Sequence, residues 1–101
     1  MVGAYVRDAA SDPAAHLALA RAIVEYHLRT DQGDLAAAIA AARTAARLWP
    51  EAAEPLYWEG RAQARARRNG KARDSLAAFL AHPAARDGAL KENAKVVMQS
   101  L

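Results

Sequence analysis

Cysteine is absent from this chain of 101 residues. That excludes disulfides and thiolate metal sites. Aromatic residues are scarce, at three Tyr, two Trp and one Phe. β-branched residues are also few, and no run alternates with a period of two, which argues against strands. No apolar stretch is long and charge-free enough to span a bilayer. The opening residues MVGAYVRDAA contain no apolar h-region, so no signal peptide is expected and the cytoplasm is the expected setting. There is no glycine-rich phosphate loop, because the five glycines are scattered, mostly at turns. No Ser, His and acid grouping has motif spacing. His16 and His27 share one helical face but stand about 16 Å apart along the axis, too far to share a metal. His82 precedes Pro83 in a turn. These residues imply no enzyme, no metal and no cofactor.

What remains is alanine and charge. Alanine fills 29 positions, and it is the best helix former. With 53% hydrophobic residues the chain can bury a core, but that core must come from close backbone approach more than from bulk. The pattern predicts an all-α domain over residues 1–101. A short helix is expected over GAYVRDAA and full helices over AAHLALARAIVEYHLRT, DLAAAIAAARTAARLW, PLYWEGRAQARARR, KARDSLAAFLAH and RDGALKENAKVVMQSL. Pro13 and Pro55 mark two of the starts, Pro50 and Pro83 two of the ends. Asp31 and Asp34 flank Gly33 as turn and N-cap residues. Links this short make neighbouring helices antiparallel hairpins.

A spacing of 34 residues recurs within the chain. It pairs Ala38 with Ala72, Ala42 with Leu76, Ala45 with Phe79, Leu56 with Leu90, Gly60 with Ala94 and Gln63 with Val97. Towards the N-terminus the register needs an insertion of three residues. Leu19, Ile23 and Tyr26 then take the places of Leu56, Gly60 and Gln63, Tyr5 takes the place of Ala42 and Leu76, and Pro13 aligns with Pro50.

These residues resemble the tetratricopeptide repeat (TPR) family, whose unit is two antiparallel helices, A and B. Gly33, Ala38, Ala45 and Pro50 match the turn glycine, the helix B alanines and the closing proline. Gly60 matches the small residue of helix A and Tyr26 its later aromatic. The departures are Ala42 and Leu76 where an aromatic is usual, Arg67 at the second turn glycine, Glu59 and Gln63 at apolar helix A positions, and Pro83 one residue early. The resemblance implies a stack of helical hairpins: a half repeat over the first helix, two repeats and a C-terminal capping helix. In the cap, Leu90, Ala94, Val97 and Leu101 form one stripe, while Lys91, Glu92, Lys95 and Gln99 face away.

The resemblance also implies a concave groove lined by the A helices, which takes a partner's peptide or helix. By position the groove would hold Val24 and His27, then Tyr57, Arg61, Ala64 and Arg65, then Lys91 and Lys95. Four of these are basic, so an acidic protein segment is the complement. Trp58 falls within one arc with Arg61, Arg65 and Arg68. It either packs under arginine stems or offers a flat platform to a partner. Lys91 and Lys95 also match the last basic pair of a TPR subclass that clamps a C-terminal carboxylate, but Ala20 and Val24 stand where that clamp has its earlier Lys and Asn.

Two other readings stay open. Residues 61–73, RAQARARRNGKAR, hold six of the fourteen basic residues and no acid. Such a run could neutralise nucleic-acid phosphates, although no nucleic-acid motif accompanies it. The remaining residues are net acidic, so the basicity is local. The half repeat could instead pack on a second copy of the chain.

Overall fold

The computed structural model describes residues 11–101. The short helix expected over GAYVRDAA, with its role as a half repeat, lies outside the described residues. Five helices follow: α1 (Pro13–Thr30), α2 (Leu35–Leu48), α3 (Glu54–Arg65), α4 (Asn69–Ala81) and α5 (Ala89–Gln99). Among the described residues there is no strand. Among those residues, too, no helix is long and apolar enough to cross a membrane.

The helix starts follow local chemistry. Asp12 caps α1 by accepting from the Ala14 N–H, with Pro13 at the first position. Asp34 caps α2 by accepting from Ala37 at 3.0 Å. Each aspartate satisfies one of the N–H groups that a helix start leaves unpaired. The break between α3 and α4 comes earlier than the periodicity predicts, at Arg65 rather than Arg68. The chain turns at Arg67, which adopts a left-handed conformation, φ 61°. The Arg68 N–H then bonds back to the Gln63 carbonyl at 2.9 Å and the Arg67 N–H to Ala64 at 3.1 Å. This is a Schellman closure, usually built on glycine. For an L-residue the left-handed conformation costs roughly 1–2 kcal/mol. α1 also ends on a left-handed residue, Asp31, φ 56°, but with the simpler single bond, from its N–H to the His27 carbonyl at 2.8 Å.

Consecutive helices pack as antiparallel hairpins, α1 on α2 and α3 on α4, with α2 on α3 joining them. α1 also touches α3, and α3 touches α5. The odd-numbered helices therefore lie side by side and point the same way, with α3 at the centre of the stack. The core draws Ala20 and Val24 from α1, Ala38, Ile39 and Ala42 from α2, Tyr57, Trp58 and Ala62 from α3, Leu76 and Phe79 from α4, and Ala94 from α5. Small residues let the backbones approach. The closest approach is at Gly60, where an added Cβ would stand 2.6 Å from both Cγ and Cδ2 of Leu76.

Burial follows the 34-residue register across the last two units. Ala38 and Ala72, Ala42 and Leu76, Ala45 and Phe79, and Gly60 and Ala94 are all buried. The register fails in α1. Leu19 is 51% exposed and Tyr26 44%, whereas Leu56 is half-buried and Gln63 fully buried. Of the three α1 residues placed by the insertion, only Ile23 packs on the core. α1 turns Leu17, Ala20 and Val24 inward at helical spacing, which leaves Leu19 and Tyr26 on the outer side.

The polar residues Glu59 and Gln63 of α3 have a packing role. Buried Gln63 accepts from the Ser75 hydroxyl at 2.7 Å and donates to Glu59 at 3.2 Å. Glu59 also takes the Arg43 guanidinium at 3.0 Å. The chain of contacts ties α2, α3 and α4 together, and it satisfies the buried amide. At the far end, His82 bonds through Nε2 to the Pro50 carbonyl at 2.9 Å, and its Nδ1 accepts from Ala84 at 3.0 Å. His82 thus pins the α4–α5 turn to the α2–α3 turn. The capping helix seats Leu90, Val97 and Met98 on the core around Ala94, with Glu92, Lys95 and Gln99 outward.

Candidate functional site

Because α1, α3 and α5 run in one direction, their C-terminal ends meet at one end of the stack. There they enclose an open cavity of about 640 Å³. Its charged lining is Arg61, Arg65, Arg67 and Asp31, with His27 beside them. Leu28, Ala64, Val97 and Leu101 supply apolar wall. Three arginines against one carboxylate give the cavity a positive field. Part of that charge answers the helix ends themselves, since His27 lies in the last turn of α1 and Arg65 in the last turn of α3, where carbonyl dipoles favour cations.

The arginines are held differently. Arg65 donates through Nε to His27 Nδ1 at 3.1 Å and through Nη2 to Asp31 Oδ1 at 2.6 Å. The first bond requires His27 Nδ1 to be unprotonated, so the ring proton sits on Nε2. The Asp31 side chain is largely exposed, and an ion pair of that kind is worth at most about 1 kcal/mol. Arg61 donates through Nη1 to the Tyr57 hydroxyl and to Asn93 Oδ1, and Tyr57 in turn donates to Asn93 at 2.7 Å. Its guanidinium lies over the Tyr57 ring, 5.6 Å from the centroid. Among the described residues Arg61 thus has no acidic partner. The Arg67 side chain has no hydrogen-bond or ion-pair partner among the described residues.

Of the eight residues expected to meet a partner, His27, Arg61 and Arg65 come together in this cavity, along with Ala64. Three others are buried instead. Val24 is fully enclosed in the core, Tyr57 is 2% exposed and Trp58 is 7% exposed. Tyr57 contributes only by holding Arg61. Trp58 is no platform for a partner: it meets the Tyr57 ring edge-on, with centroids 4.9 Å apart. The arginine over it is Arg21 of α1, 5.8 Å from the centroid, not one of its own helix. The buried indole Nε1 has no acceptor. Lys91 and Lys95 do not line the cavity. They pair along α5 and its approach, with Asp87 at 3.3 Å and Glu92 at 3.5 Å.

Sequence reasoning missed Asp31 and Arg67 as cavity residues, and Asn93 as the residue that holds Arg61. The signal for Arg67 was its place at a turn glycine position. Asn93 gave no signal.

The basic run 61–73 is not one strip. Arg61, Arg65 and Arg67 face the cavity. Arg73 reaches from α4 to the Leu101 carbonyl at 3.2 Å. Arg68 and Lys71 are exposed around the turn. A second concavity of about 640 Å³ lies at the opposite end, where α3 and α5 begin. Its walls are apolar, with Leu17, Phe79, Leu90 and the half-exposed Trp49, and Glu51 and Glu54 stand at its edge. Among the described residues no group of three or more His, Asp and Glu side chains is placed to hold a metal. Compared with family models, curated proteins and solved structures, the chain finds no match.

Proposed function

We propose that this chain is a TPR-like protein-interaction module, a scaffold or adaptor rather than an enzyme, that takes an acidic segment of a partner protein in the cavity formed by α1, α3 and α5. One observation carries the reading. Three arginines and a single, exposed carboxylate line a cavity that also has apolar wall. Guanidinium groups bind carboxylates through planar, paired N–H donors. The apolar wall suits a partner side chain next to the acid, as in an acidic segment interrupted by leucines. The division of the 61–73 run between cavity, turn and α4 favours this over a nucleic-acid strip, which needs contiguous cations along a backbone. The cytoplasmic setting belongs to the same proposal.

The test is fluorescence anisotropy with a labelled short peptide of alternating Glu and Leu, beside an oligonucleotide of equal charge. The peptide binds, and Arg65→Gln weakens it at least about 10-fold, equivalent to 1.4 kcal/mol, with the melting temperature little changed. Binding of the oligonucleotide but not the peptide, or of neither, overturns the reading.

A further inference from the structure

Two non-glycine residues among those described have left-handed backbones, Asp31 and Arg67. Both sit where an A helix ends, and both line the same cavity. Glycine is the easy residue at such a position, and nothing in the turn's hydrogen bonding requires a side chain there. The Schellman bonds at Arg67 are made by backbone atoms alone. Strained residues of this kind persist where the side chain serves something other than the local fold.

The two differ in what their side chains do. Asp31 has a partner, Arg65, which it holds together with His27. Arg67 has none among the described residues. Helix-dipole attraction does not explain Arg67 on its own, since Arg65 already places a cation in the last turn of α3. Nor does packing, since Arg67 is exposed.

We infer that Arg67 is the cavity's leading ligand contact, a free guanidinium held at the rim by a strained turn to meet a partner's carboxylate, and that Asp31 is the positioning residue that aims Arg65 beside it. This rests on the acidic-segment reading and adds which residue dominates it. The usual guanidinium geometry then favours a carboxylate that Arg67 can grip with two parallel N–H bonds. Arg65 and Arg61, already engaged on one side, supply the surrounding field.

The decisive variant is Arg67→Gly, because its two effects run in opposite directions. Relief of the left-handed strain, less the extra freedom of glycine in the unfolded chain, raises the melting temperature by about 3 °C. Loss of the guanidinium weakens the Glu–Leu peptide at least about 10-fold. Arg67→Lys keeps the charge but not the paired donors, and recovers only part of that loss. Wild-type binding that weakens in Arg65→Gln but is unchanged in Arg67→Gly overturns this inference and leaves the acidic-segment reading standing. Weaker binding with a lowered melting temperature overturns it too, since a damaged turn would then be the cause. No binding of the peptide by the wild type removes both.

Discussion

The two hairpins solve the same packing problem with opposite residues. In the register that relates them, Ile23 of α1 corresponds to Gly60 of α3, and Ala42 of α2 to Leu76 of α4. The first hairpin puts the larger residue on its first helix, and the second puts it on its second helix. In α3–α4 the exchange is complete: Leu76 is fully buried and its side chain fills the notch that Gly60 leaves. The hairpins also close differently. α1–α2 places Asp31 in the left-handed region and follows it with Gly33. α3–α4 closes on Arg67 alone, within a three-residue link.

The largest effect that would break this comparison is Leu76→Ala. It removes a fully buried side chain beside a glycine, where nothing can relax into the space, and costs about 3 kcal/mol in urea denaturation. Gly60→Ala forces a methyl group into Leu76 and costs about 2 kcal/mol. The double variant sharpens the point: with Leu76 shortened, the Gly60→Ala methyl has room, so the combined loss falls short of the two single losses added together by at least about 0.5 kcal/mol. Simple additivity would show that the two residues do not share one notch.

Gln63→Ala is next, at about 2 kcal/mol. It strips the Ser75 hydroxyl of its acceptor and leaves Glu59 with Arg43 only. The first hairpin has no equivalent cost to bear, since Tyr26, aligned with Gln63, is half-exposed on the outer face of α1. Tyr26→Ala should therefore change stability by no more than about 0.5 kcal/mol. The smallest effect for its size is Trp58→Phe. The ring loses buried area, but the indole N–H that goes with it had no acceptor. The two terms offset, and the net change stays within about 1 kcal/mol in either direction.

Much of this architecture was legible in the chain. Alanine-rich stretches bounded by Pro13, Asp34, Pro50, Pro55 and Pro83 marked the helices to within a few residues, because capping and proline sterics act locally. Burial of Ala38, Ala42, Ala45, Ala72, Leu76 and Phe79 was legible from the repeat spacing, since residues on one face of a helix share its fate. The site was legible only in part. His27, Arg61 and Arg65, three of the residues expected to meet a partner, line one cavity. Val24, Tyr57 and Trp58 were assigned to the same face but are buried, because a wide helix face can serve the core on one side and the surface on the other. Lys91 and Lys95 were placed by repeat position, but Asp87 just before α5 and Glu92 on it are close enough to pair with them.

By itself, then, the sequence determined the helices, their short antiparallel links and the small-residue faces that let them approach. These depend on contacts within a few residues along the chain or on a period that survives in any helix. Which cations share one cavity was decided only by the tertiary structure. Asp31 reaches Arg65 across 34 positions and Asn93 reaches Arg61 across 32. Such pairs depend on how α1, α3 and α5 lie beside one another, and a side chain at a helix end swings through several ångströms for a small change in that packing. The left-handed turn at Arg67 belongs with them. Arginine has no preference for it, and the conformation exists because the closing bonds of α3 impose it.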